Sequence, residues 1–220
     1  MSGERLGVLG GTFDPVHLGH LRAAESVREA MGLDRVLFVP ACIPPHKARP
    51  TVTSVEDRYL MVQAAVRNEP TFEVSRLEIE RQGTSYTADT LAELAKEDPQ
   101  REIFFITGID AFRDIRSWER WEELLRSYSF IVHGRPGYGL AGAFEVVPDS
   151  LRSRLVELRN GVSAPAGRGP SIYLVNALTL NISATEIRAI VRSGRSIRYL
   201  VPPEVESFIA EHRLYKEGAN

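Results

Sequence analysis

Leu6-Gly7-Val8-Leu9-Gly10-Gly11-Thr12-Phe13-Asp14-Pro15-Val16-His17-Leu18-Gly19-His20 is the stretch on which the fold turns. It starts as a short apolar run closed by glycines, and from Leu18 the apolar residues Leu18, Leu21, Ala24, Val27 and Met31 recur at helical spacing. Strand, glycine loop and helix in that order place backbone amides at a helix N-terminus, where they can meet a phosphate. The segment has neither the lysine of a P-loop nor the G-x-G-x-x-G spacing of a dinucleotide fingerprint, so positive character must come from elsewhere. His17 and His20 are three apart, hence on one face if helical, and can aim N–H donors at the same oxygens. The pair also reads as a plain surface feature, or, with Asp14, as part of a metal site. Against the metal, no further His, Cys or carboxylate cluster offers a fourth ligand.

Outward from this stretch, Val36-Leu37-Phe38-Val39 reads as a buried strand ended by Pro40. Residues 41–52 hold Pro44, Pro45 and Pro50 with three basic groups and form a loop. Ser54-Val55-Glu56-Asp57 has the spacing of a capping box and opens a helix to about Asn68. The alternation over 72–79 predicts a strand, 87–96 a helix, and Ile103-Phe104-Phe105-Ile106 a buried strand. Residues 118–125 are expected to be helical, with Phe130-Ile131-Val132 and Ile172-Tyr173-Leu174-Val175 as further strands. Residues 134–144 and 161–170, rich in Gly, Pro and Ala, are surface connections. Between them Leu151, Leu155 and Leu158 have helical spacing, with Asp149 or Ser150 as cap. After Ser183 the pattern is helical through Ile187, Ile190 and Val191, and Pro202-Pro203 opens a second helix with Val205, Phe208 and Ile209. The expected architecture is α/β: a Rossmann-like, mostly parallel sheet with helices on both faces and a helical C-terminal part over 183–215, all in one domain, 1–220.

Composition narrows the function. With 43% hydrophobic and 25% charged residues in 220, the chain is neither disordered, collagen-like nor coiled coil, and a fold of this size hides roughly 70% of the unfolded surface. The one cysteine, Cys42, cannot form an internal disulfide, and the N-terminal residues lack a signal-peptide core, so a cytoplasmic location is expected. No run of about 18 apolar residues suggests a membrane span. A net charge of −2 gives no general attraction to nucleic acid or membranes, so a polyanionic ligand must be caught by a local site. A homo-oligomer is compatible with the sequence, which leaves the oligomeric state open.

A second such site is legible near the C-terminus. Ser183-Ala184-Thr185-Glu186 repeats the capping-box arrangement, which predicts that Ser183 caps a helix with Thr185 and Arg188 on its first turn. An anion docked there would receive backbone N–H bonds, a hydroxyl and a guanidinium fork. Taken alone, a capped helix bearing an arginine is commonplace.

G-G-T-F-D-P-V-H-L-G-H resembles the signature of the nucleotidyltransferase superfamily that carries an H-x-G-H motif, and is similar to that of the bacterial nicotinate mononucleotide adenylyltransferases. The resemblance implies that His17 and His20 contact the ATP phosphates and stabilise the transition state, with Mg²⁺ accompanying ATP and no metal ligand assigned to the protein. It also implies ATP contacts at Gly11, Thr12 and Phe13. Ile182-Ser183-Ala184-Thr185-Glu186-Ile187-Arg188 resembles the family's I-S-S-T-x-I-R, which holds the β- and γ-phosphates; Ala184 stands where serine is usual. The roles implied for Ile182, Ser183, Thr185 and Arg188 follow from that.

Other segments of the resemblance concern the second substrate. Pro44-Pro45-His46-Lys47 resembles P-P-H-K, whose lysine lies near the reacting phosphates. Ser85-Tyr86-Thr87-Ala88-Asp89-Thr90-Leu91 resembles S-Y-T-x-D-T-L, which implies that Ser85, Tyr86 and Thr87 present amides to the pyridine carboxylate. A helix N-terminus favours an acid over a neutral amide, so nicotinate should beat nicotinamide. Trp118 looks like the residue that stacks on the pyridinium ring, worth roughly 0.5 to 2 kcal/mol, while Trp121 reads as core. Gly108-Ile109-Asp110 resembles the G-x-D turn whose acid meets ribose hydroxyls, which implies ATP contacts at Gly108 and Asp110 and a mononucleotide contact at Asp110 as well; Ile109 is bulkier than the usual small residue. Arg135-Pro136-Gly137-Tyr138 resembles R-P-G-Y, whose arginine binds the mononucleotide phosphate. The resemblance is interrupted over residues 139–170, which match none of its motifs.

The activity implied is the joining of nicotinate mononucleotide and ATP into nicotinate adenine dinucleotide and pyrophosphate, a step of NAD biosynthesis, with His17, His20, Lys47 and Arg188 as the catalytic groups. The rivals are a sensor that binds ATP or the dinucleotide without turnover, a related nucleotidyltransferase with another phosphate-bearing acceptor, and a metal-dependent hydrolase.

Overall fold

In the computed structural model, which describes residues 3–45, 53–134, 140–158 and 169–216, the opening apolar run is strand β1 (Arg5–Gly11) and the helix after it is α1 (Leu18–Met31). Gly32 ends α1 in the left-handed region at φ 60°, a conformation that costs glycine little, and its amide returns to the last turn. Then follow β2 (Arg35–Pro40), α2 (Val55–Val66), β3 (Phe72–Val74), α3 (Leu77–Arg81), α4 (Thr87–Glu97) and β4 (Glu102–Gly108). The second half runs α5 (Ile109–Arg113), α6 (Trp121–Ser127), β5 (Ser129–His133), α7 (Gly142–Val146), β6 (Leu155–Leu158), β7 (Ile172–Val175), α8 (Ala184–Arg192) and α9 (Pro203–Glu211).

The strands form one sheet in the order β3-β2-β1-β4-β5-β7-β6, and every pairing among them is parallel. A strand covered on both faces carries apolar side chains on both, which is why these strands read as unbroken runs. Val36 and Phe38 point into one core with α1, α2, α8 and α9, while Leu37 and Val39 point into the other with α4, α5 and α6. Phe104 and Ile106 divide from Ile103 and Phe105 in the same way. The C-terminal helices are thus part of one face of the sandwich, as Ile187, Val205 and Ile209 lie in the first core. Among the described residues, no helix is long and apolar enough to cross a membrane.

Four sequence expectations are corrected. The strand over 72–79 ends at Val74 because the alternation slips at Arg76-Leu77; the Ser75 hydroxyl accepts the Leu77 amide and α3 begins. The helix over 118–125 starts only at Trp121, since Arg120 takes left-handed backbone at φ 52° and Trp118 follows a short 3-10 turn over 115–117. Residues 149–158 divide into a 3-10 turn and the edge strand β6, which pairs Leu155 to Leu158 with β7; Pro148 occupies the cap position expected of Asp149 or Ser150. Here leucines three and four apart served first a turn and then a strand. Last, the connection over 134–144 contains the short helix α7.

Candidate active site

The chain order of the sheet reverses between β1 and β4, and in open α/β sheets ligands bind beyond the strand C-termini at such a switch point. A cleft of about 290 Å³ opens there, among the ends of β1, β4 and β5. A smaller hollow of about 150 Å³, lined by Thr12, Pro44, Tyr86 and Trp118, lies beside it. Gly11, Ala41, Ser85, Thr87 and Trp118 line both, so the two form one elongated site.

Both histidines line it. His17 is the N-cap of α1 and His20 lies one turn on, their rings stacked 3.7 Å apart at 21°. The His17 amide donates to His20 Nδ1 at 3.3 Å. With Nδ1 accepting, a neutral His20 carries its proton on Nε2 and donates from there. Gly19 is needed between them: a Cβ would come within 2.9 Å of His17 Nδ1 and 3.2 Å of the Leu180 carbonyl oxygen. Phe13 packs its ring edge-on against His20 and is itself buried, so its backbone, not its side chain, is what it can offer a nucleotide.

The second phosphate motif meets the first. Arg188 Nη1 donates to the Asp14 carbonyl at 2.6 Å and Nη2 to the Thr185 hydroxyl at 3.2 Å, so the guanidinium ties α8 to the loop after β1. Ser183 occupies the N-cap of α8 in extended backbone but its side chain makes no cap hydrogen bond, which corrects the capping-box expectation. Ile182 is half-buried against the first core. Ala184 begins the helix and contributes to its first turn only through the backbone.

At the other end of the cleft, Tyr86 is the N-cap of α4 and Thr87 its first residue, so the first-turn amides lie where the sequence placed them. Ser85 is buried: its hydroxyl oxygen accepts the Cys42 amide at 2.8 Å and also hydrogen-bonds Glu78, which ties this turn to the loop after β2. Trp118 packs edge-on against Phe105, ring centroids 5.8 Å apart. Two residues on, Arg120 is paired with Asp89 of α4, linking the Trp118 loop to that helix. Trp121 packs on the second core. Asp110 lines the cleft from the first turn of α5, and Ile109 is fully buried beside it, so its bulk is taken up by the core. Gly108 ends β4 next to Asp110. Lys47, with its loop, and Arg135, with the R-P-G-Y turn, lie outside the described residues.

Sequence reasoning missed four residues. Arg58, fully buried, donates to the Thr12 carbonyl at 2.7 Å and the Cys42 carbonyl at 3.2 Å. Its signal was an arginine in register with the buried Met61 and Val62 of α2. Glu78, at the cleft wall, accepts the Thr90 hydroxyl at 2.5 Å, and burial pushes its carboxyl above the ordinary range. His133 lines the cleft from the end of β5, legible only as a polar residue closing an apolar strand. Tyr215 donates to Asp14 Oδ1 at 2.8 Å and left no signal in the sequence pattern.

This fold, with a switch-point cleft at the first phosphate-type motif and a second such motif tied to the loop after β1, defines a Rossmann-like nucleotide-binding protein of nucleotidyltransferase type. A cytidylyltransferase-like family model matches residues 8–190. A protein of Pelobacter propionicus named "Probable nicotinate-nucleotide adenylyltransferase" is 40% identical over 97% of this chain and 99% of its own length. One of the same name from Geobacter sulfurreducens is 43% identical over 96% and 98%. The solved nicotinic acid mononucleotide adenylyltransferase of Plasmodium falciparum, complexed with NaAD, shares the fold at a TM-score of 0.73 and 20% identity, over 96% of this chain and 97% of that one. The chain belongs to the cytidylyltransferase-like family and, within it, to the nicotinate-nucleotide adenylyltransferases.

Proposed function

We propose that the chain, as one nucleotidyltransferase domain acting in the cytoplasm, transfers the adenylyl group of ATP to nicotinate mononucleotide, releasing pyrophosphate. The observation that carries this reading is the hydrogen bond from Arg188 to Asp14, which brings the C-terminal phosphate motif to the loop that leads into His17 and His20 at the start of α1. The family membership and the names of the full-length relatives support it.

The reaction is an in-line attack by the mononucleotide phosphate on the α-phosphorus. A phosphate monoester is already anionic, so no general base is required and catalysis reduces to positioning and charge stabilisation. His17 and His20 donate to the α-phosphate oxygens. Arg188, Thr185 and the amides of Ser183 and its neighbours hold the departing pyrophosphate, while Gly11, Thr12 and the Phe13 backbone line the nucleotide's path. Lys47 and Arg135 screen the two approaching anions. The α4 N-terminus takes the nicotinate carboxylate, Trp118 stacks on the ring, and Asp110 beside Gly108 meets ribose hydroxyls.

Magnesium fits this scheme as part of the substrate, chelated by the triphosphate. The groups at the phosphate end are imidazoles, a guanidinium, hydroxyls and amides, and among the described residues no three His, Cys, Asp or Glu side chains gather to hold a metal ion.

The test is a coupled assay with MgATP and either nicotinate or nicotinamide mononucleotide. Dinucleotide and pyrophosphate should appear together, faster with the acid. ATP binding without pyrophosphate release would leave the sensor reading; release with a different phosphate acceptor alone would leave a related transferase.

A further inference from the structure

Tyr215 lies in the turn beyond α9, where Arg213 and Tyr215 both take left-handed backbone, at φ 53° and 65°. Non-glycine residues keep such conformations only where surrounding structure enforces them. The ring is 5% exposed in the first core, and the hydroxyl reaches Asp14 Oδ1 across 201 residues of sequence. Thr53, also buried, hydrogen-bonds the same phenol. Burial and the nearby Asp14 carboxylate raise the phenol's pKa, so it remains a donor.

Asp14 is 3% exposed and follows Phe13, whose own φ is 50°. Its side chain accepts from Tyr215 and its main-chain carbonyl from Arg188. Arg58 fixes the same loop from the other side through the Thr12 carbonyl. Tyr215 is not among the residues lining the cleft, so it acts on the site through its partners, of which Asp14 is the one that Arg188 also holds.

We propose that Tyr215 is a positioning residue for the phosphate end of the site: by holding the Asp14 side chain it sets the carbonyl on which the Arg188 guanidinium is seated, and so the alignment of Arg188 with the histidines. The proposal rests on the nucleotidyltransferase reading above. A tail that merely staples the fold would affect stability and both substrates alike.

The full chain carrying Tyr215→Phe, which removes only the hydroxyl, tests this. Its KM for MgATP should rise by about threefold to tenfold, the worth of one lost hydrogen bond, with the KM for nicotinate mononucleotide within about twofold of wild type on the same scale. In an Arg188→Ala background, the same change should leave the ATP constant within about twofold, because its route of action is gone. Calorimetric titration with MgATP is run in parallel, so that a wild type without turnover, which sinks the functional reading, still lets the Tyr215 effect be read as affinity. Unchanged ATP constants, even with a lower melting temperature, overturn the proposal, as does an equal loss in both backgrounds. If Tyr215→Phe does not accumulate as folded protein, Thr53→Val is read in its place: it should weaken ATP selectively, and no such shift overturns the proposal.

Discussion

His20 accepts the His17 amide on Nδ1 and lines the cleft, which makes it the side chain whose loss should be felt most purely in the chemistry. Replacing it by alanine should lower turnover by about 10² to 10³, as for one transition-state donor, with ATP affinity less affected. Steady-state rates beside calorimetry check this; a variant within about threefold of wild type, far short of such a loss, removes His20 from the reaction. At this scale the sequence was informative where chemistry imposes identity. Two histidines three apart with a glycine between them are visible as a motif, and the structure supplies the reason for the glycine in the approach of His17 and Leu180. Arg58 and Glu78 were not visible as site residues, because each is defined by burial and by partners brought from other segments, and a helical wheel shows neither.

Among elements, Glu78 joins α3 to α4 through Thr90, and to the turn between them through Ser85. Its carboxyl is raised above the ordinary 4.5, chiefly by burial. A group whose folded pKa is raised binds its proton more tightly in the folded state, so its contribution to stability is present below 4.5 and is lost as pH rises through the raised value. Glu78→Gln cannot lose a proton. The difference in melting temperature, variant minus wild type, should therefore be more positive at pH 8 than at pH 4; a flat difference would place the Glu78 carboxyl at its ordinary strength. Elements were legible in proportion to their burial. The central strands β1, β2, β4, β5 and β7 were each located from unbroken apolar runs, because two packed faces constrain every position. The edge strands β3 and β6 were overextended or taken for helix, since with three or four residues and one neighbour their pattern is too short to establish a period.

For the whole molecule, the decisive contacts join the start, middle and end of the chain, and their partners share no local pattern. The prediction that belongs here concerns Arg58, which donates to carbonyls of both loops that flank the cleft. Arg58→Met keeps the bulk but leaves those carbonyls without that donor, at a cost of about 1–3 kcal/mol for each buried group left unsatisfied. A urea titration should show the lower midpoint, and the KM values of both substrates should rise together, in contrast to the ATP-selective effect expected at Tyr215. An unshifted midpoint would mean that water replaces the guanidinium without cost. The order of strands, by contrast, was only partly readable: alternating β and α segments pointed to a parallel sheet, but nothing local fixed which strands adjoin. That β1 lies inside the sheet, beside its central strand, and that Arg188 meets a loop 174 positions earlier, has a consequence for biogenesis. A nascent chain emerging from the ribosome displays its histidines early, yet has no arginine clasp until α8 has followed them out.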